Sequence, residues 1–108
     1  MYQVIATKLV VTTTAAQVSQ PASMDGANSV QVETTVFAGS GTLSGQLEVS
    51  NDLENWSTHG SAQTFTAVGY TLWPSSPTAG IAAAYIRVKW TSNSGTWVLA
   101  AGIDTASL

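Results

Sequence analysis

The chain has 108 residues, no cysteine and 44% hydrophobic residues, a content that sets it apart from disordered sequences. Only 8% of its residues are charged, three basic against six acidic for a net charge of −3, where an ordinary soluble domain carries about 25%. Three scattered bases cannot form the phosphate-neutralising stripe that nucleic acid requires, nor hold an anionic membrane surface. The missing cysteines exclude disulfides, thiolate metal sites and a cysteine nucleophile.

The length fits one domain, 1–108. With Lys8, Arg87 and Lys89 as the only bases, the polar surface must be built from Ser, Thr, Asn, Gln and Gly. Net charge keeps free monomers apart, whereas a weakly charged, hydroxyl-rich surface loses its water cheaply and suits contact with other protein copies. The first residues, Met1 to Val11, lack a basic segment followed by a long apolar one, because Lys8 interrupts the run. That pattern predicts no cleaved secretory signal. No stretch approaches the roughly 18 apolar residues of a membrane-crossing helix.

Apolar runs are filled by β-branched residues, which favours strands over helices. The first strand spans Gln3–Thr13, with a bulge expected near Thr7–Lys8 because Val4, Ala6, Leu9 and Val11 do not keep one phase. This segment, 1–13, is either an N-terminal arm or an edge strand. As an arm it would reach a neighbouring copy by strand addition. Pro21–Gly26 reads as a loop, turned at Asp25-Gly26.

Val30–Phe37 alternates cleanly, with Val30, Val32, Thr34 and Val36 on one face and Gln31, Glu33, Thr35 and Phe37 on the other. After the Gly-rich segment Ala38–Gly41, Leu43–Ser50 resumes the alternation, and the two strands read as a hairpin. Asn51–Asn55 is a turn, Trp56–Gly60 a short strand, and Gln63–Val68 and Tyr70–Trp73 two more. Pro74–Gly80 reads as a loop. Ala82–Trp90 turns Ile86, Val88 and Trp90 one way and Tyr85, Arg87 and Lys89 the other. Ser92–Gly95 makes a tight turn, Thr96–Ala101 pairs back, and Gly102–Leu108 is a last edge segment or a loose tail. Seven or eight short strands, with turn signals about every 8–12 residues, predict an all-β fold. The expected form is a single antiparallel β-sandwich or jelly-roll-like domain.

Chemistry is sparse. The single histidine, His59, has Ser57 two residues away on the same strand face and no evident carboxylate to orient it, so it reads as a surface residue at a strand end. Glu48, Asp52 and Glu54 cluster in sequence, but a solvated turn raises no carboxyl toward acid duty. Asn51, Asp52 and Glu54 are oxygen ligands of the kind Ca²⁺ takes, in a spacing that matches no EF-hand; turn chemistry is the simpler account. Asn55-Trp56-Ser57 fits a glycosylation sequon, which matters only in a secreted eukaryotic protein. No cofactor motif is present.

Trp56, Trp90 and Trp97 read as core or cross-strand anchors. Trp73 precedes Pro74 at the rim of a loop, with Tyr70 nearby. The pair forms either an exposed platform for a sugar or a subunit interface, or Trp73 folds over the end of the core.

The run Leu47-Glu-Val-Ser, then Asn51-Asp, Asn55-Trp56 and later Tyr85-Ile-Arg-Val, carries a family resemblance. It resembles small β-sandwich proteins of tailed phages, decoration or accessory proteins of the head or tail. It is also similar to discoidin-like carbohydrate-binding modules, although the chain is short for them and lacks their N-terminal pattern. The first resemblance implies a non-enzymatic virion protein, assembled in the host cytoplasm. Such a protein would bind other virion proteins and itself as a homo-oligomer, with a trimer favoured. The second implies a glycan ligand at Tyr70 and Trp73.

Overall fold

Each apolar alternation in the sequence becomes a strand with its apolar side turned toward a second sheet. The computed structural model describes residues 1–78 and 80–107, and the backbone alone for 75–78. Ala79 and Leu108, in the predicted loop and tail, lie outside the described residues. Nine strands follow in order: β1 (Tyr2–Val11), β2 (Gln17–Val18), β3 (Ala22–Ser23), β4 (Ser29–Ala38), β5 (Leu43–Ser50), β6 (Ser57–Phe65), β7 (Gly69–Thr78), β8 (Tyr85–Ser92) and β9 (Trp97–Ala106). A four-stranded sheet runs β1-β9-β4-β7. A five-stranded sheet runs β2-β8-β5-β6, with β3 also on β8. All pairings are antiparallel. The predicted antiparallel sandwich is what forms.

The strand partners differ from the sequence reading. β4 and β5 are not a hairpin: β4 pairs with β7 and β9, β5 with β6 and β8. β8 and β9 likewise lie in opposite sheets. Both short loops therefore carry the chain from one sheet to the other, and they clasp each other. Thr42 carbonyl accepts from the Asn93 and Ser94 backbone N–H groups at 2.9 and 3.3 Å, and Thr42 N–H donates to Ser94 Oγ at 2.8 Å. Gly95, at φ 76°, lets the loops touch: a Cβ there would stand 2.0 Å from the Ser40 carbonyl oxygen.

Of the two alternatives for the first segment one is realised, and three further expectations change. β1 pairs with β9 from Tyr2↔Asp104 to Val11↔Trp97, so it is the edge strand of its own sheet and not a free arm. Its register shifts between Val4 and Leu9 include the expected bulge at Thr7–Lys8. β9 runs to Ala106 as a central strand between β1 and β4, where an edge or tail was expected. β6 passes through Gly60 as one strand instead of two. β7 continues beyond Pro74 to Thr78, its backbone pairing Val30↔Thr78 where a loop was expected.

The core is the space between the sheets. Val30, Val32, Val36, Leu99 and Ile103 face Leu43, Leu47, Ile86 and Val88, all buried. At its centre Trp73 of the four-stranded sheet meets Phe65 and Trp90 of the other, with ring centroids 6.1 and 6.0 Å away in edge-on geometry. Such aromatic contacts add about 0.5–1.5 kcal/mol beyond area burial. Gly45 provides the room, since a Cβ there would lie 2.9 Å from Trp90 Cζ3 and 3.2 Å from Trp73 Cζ2.

Gly45→Ala should therefore overpack this contact and cost about 1–3 kcal/mol in denaturant unfolding. Ser44→Ala, half-buried next to it, should stay within about 0.5 kcal/mol. Equal stability of the two variants would show that Gly45 is not a spacing residue.

Candidate functional site

Alternation that buries one face of the four-stranded sheet exposes the other. Tyr2 and Val4 of β1, Phe37 of β4, and Tyr70 and Leu72 of β7 are exposed on that outer face, with Ala100 and Gly102 of β9 between them. Solitary exposed apolar residues need no explanation, but several on one sheet face do. Tyr2, Val4 and Tyr70 border a groove of about 390 Å³, whose lining also includes Glu33, Thr35, Ala100 and Gly102. The phenol end of Tyr2 fills the space above Gly102: a Cβ on that glycine would stand 2.2 Å from the Tyr2 hydroxyl.

Glu33, in the groove lining, is one half of a carboxyl pair. Glu33 on β4 and Asp104 on β9 lie on adjacent strands, in the register Glu33↔Gly102 and Gln31↔Asp104. Tyr70 Oη donates to Glu33 Oε1 at 2.8 Å. Hydrogen bonding with Asp104, and then with Tyr70, holds Glu33 below its ordinary value. The Glu33 hydrogen bond, with burial and the Glu33 charge behind it, pushes Asp104 up to about 6, against the pull of the Met1 amine. Donation to Glu33 likewise raises the Tyr70 hydroxyl. The two carboxyls thus titrate as a unit that holds one proton into the weakly acid range.

The residues predicted to form an exposed platform do not meet. Tyr70 is 60% exposed, whereas Trp73 is 2% exposed, its Nε1 donating to Thr34 Oγ1 at 2.9 Å inside the core. Three residues apart on one strand is an odd spacing, which sends the two side chains to opposite faces. Trp73 is therefore removed from the candidate surface, and Tyr70 stands there with Tyr2, Glu33 and Asp104, none of which the sequence reading singled out as site residues. Strand parity marks all four as outward, but their assembly needs the order β1-β9-β4-β7, which alternation does not encode.

Trp56 is also not a core anchor. It precedes β6 and lies half-buried on the outer face of the five-stranded sheet, 4.1 Å from the Arg87 guanidinium carbon, with Nε1 donating to the Leu53 carbonyl at 3.2 Å. Arg87 Nε in turn donates to Glu48 Oε1 at 2.8 Å. Glu48, on the outward side of β5, is nonetheless buried under this stack.

Turn chemistry accounts for Asp52. Its Oδ1 accepts from the Glu54 and Asn55 backbone N–H groups and from Ser50 Oγ, and its Oδ2 accepts from Asn55 Nδ2 at 2.7 Å. These donors hold its carboxyl well below the usual carboxylate range. Asn51 Oδ1 accepts from the Ala84 N–H at 3.0 Å and ties the turn to the segment before β8. Among the described residues no three or more His, Asp or Glu side chains converge as a metal site would require. His59 lines a separate cleft of about 440 Å³ between the edges of β6 and β7, with Leu47, Leu72 and Trp73.

No protein-family model matches the chain, and no curated protein matches it.

Asp104 titrates above an unfolded aspartate, so between about pH 4 and 6 the folded state holds the extra proton and stability falls as pH rises through that window. Asp104→Asn keeps a donor for Glu33 without the titration. Its thermal stability relative to the parent should be level near pH 4 and higher above about pH 6. A pH-independent difference between the two proteins would count against the shared proton.

Proposed function

We propose that this chain is a non-enzymatic structural protein that associates with copies of itself and with a larger protein surface, in the manner of a capsid decoration or head/tail accessory protein of a virion. The observation that carries the reading is the outer face of the four-stranded sheet. Phe37 is 58% exposed and Tyr70 60%, with Tyr2, Val4 and Leu72 also open, on a chain with few charges to keep copies apart. Apolar and aromatic side chains with sparse charge are what the buried centre of a protein interface is made of. The virion setting comes from the sequence resemblance at Leu47–Trp56 and Tyr85–Val88, and a gene position beside capsid or tail genes would support it.

Carbohydrate binding is the second reading, favoured by the tyrosines and the hydroxyl-accepting Glu33 carboxylate that border the groove. It now rests on Tyr2 and Tyr70, without Trp73.

Light scattering coupled to size exclusion should find the protein larger than a monomer. Phe37→Asp with Leu72→Asp should return it to a monomer with its circular dichroism unchanged. A glycan array should be blank. Specific glycan binding that Tyr2→Ala abolishes, on a protein that stays monomeric, would replace the structural reading with the carbohydrate one.

A further inference from the structure

We infer that the groove lined by Tyr2, Glu33 and Tyr70 receives the Lys89 side chain of a second copy of this chain, so that copies stack with the four-stranded sheet of one against the five-stranded sheet of the next. This inference rests on the self-association proposed above and specifies which two surfaces meet.

The Met1 amine pulls on Asp104, but Glu33 has no ion-pair partner among the described residues. β4, β7 and β9 contain no Lys or Arg, yet β4 and β9 place two carboxyls on a face they share with Tyr2, Val4, Thr35, Tyr70 and Leu72. An ammonium entering the groove would meet Glu33, the hydrogen-bond partner of Asp104, with the Tyr2 and Tyr70 rings beside it for cation–π contact. Its methylene stem would lie along apolar walls.

The opposite outer face offers one. Lys89 is exposed on β8, next to exposed Val18 on β2 and across from Gln46 on β5. The Arg87–Glu48 contact is the single ion pair among the described residues, and it leaves the Lys89 ammonium to solvent. Lys89 points the same way as Arg87, two residues along the strand and farther from the acidic Ser50–Asn55 turn. Its face therefore combines a cation with the apolar side chains of Val18 and Trp56.

Charge also selects against the simplest alternative. Two copies joined groove to groove across a twofold axis would oppose their Glu33–Asp104 pairs, and like charges facing each other are penalised. The remaining base, Lys8, lies in the shifted stretch of β1 and borders a different depression, with Val18, Ser19 and Gln20. Because the two complementary faces lie on opposite sides of the sandwich, the contact is head-to-tail. It builds open rows or wide rings that grow with concentration, not the closed trimer expected from the sequence.

Sedimentation velocity of the full chain over a range of concentrations tests this. The parent should associate progressively, and less so in about 0.5 M salt. Lys89→Glu, and separately Glu33→Gln with Asp104→Asn, should each weaken association about tenfold or more. Lys89→Glu combined with Glu33→Lys should recover it. Lys8→Glu should leave it unchanged. A parent that associates equally well with Lys89→Glu overturns the stacking while self-association stands, as does loss of association in Lys8→Glu alone. A parent that is monomeric throughout overturns self-association itself and the stacking with it.

Discussion

Trp73 crossing from one sheet into the other is the contact on which the rest of the structure turns. Its ring enters the five-stranded sheet's territory, edge-on to Phe65 and Trp90, over the gap left by Gly45. Its one polar atom is satisfied by Thr34 on the neighbouring strand, so burial leaves no donor stranded. This anchoring sets the phase of β7. With Trp73 inward, Leu72 and Tyr70 must face out, and Tyr70 is then placed to donate to Glu33. The groove on the outer face is in this sense a by-product of a packing decision made in the core.

Much of the fold was legible because burial imposes a period of two. The inward sets Val30-Val32-Thr34-Val36 and Ile86-Val88-Trp90 were readable and are buried. Strand partners were not legible in the same way. Alternation says which face of a strand is dry, not which strand lies beside it, so Val36–Leu43 and Ser92–Trp97 looked like hairpins although both cross between sheets. Leu43 is buried whether β5 lies beside β4 or across the core from it. The Ser94 and Gly95 contacts with Thr42 and Ser40, which tell the two cases apart, join loops far apart in sequence.

The candidate site was less legible for the same reason. Tyr2, Glu33, Tyr70 and Asp104 come from four strands and converge only through the register of the sheet. Trp73 illustrates a different error: a tryptophan before a proline suggests a rim, but its odd spacing from Tyr70 already assigned it to the other face. Trp56 looked like core because it follows a turn and leads a strand; in fact it roofs the Arg87–Glu48 pair from outside. Where charges are this few, each one that is buried or paired shapes the surface that is left.

The place of β9 has a consequence for how the chain acquires its shape. It is the last of the nine strands, yet it is central, with β1 on one side and β4 on the other. Tyr2 finds Asp104, and Ser29 finds Ala106. As the polypeptide emerges from the ribosome, β1 has no ladder to join and β4 only one, from β7, until β9 follows. Contacts of such sequence separation close slowly, and strands waiting for them are exposed to wrong partners. The five-stranded sheet, whose pairings all lie between β2 and β8, can assemble earlier and offer an apolar surface on which the late strand docks. Folding of this small sandwich is therefore expected to run from the middle of the chain outward, with its two ends joining last.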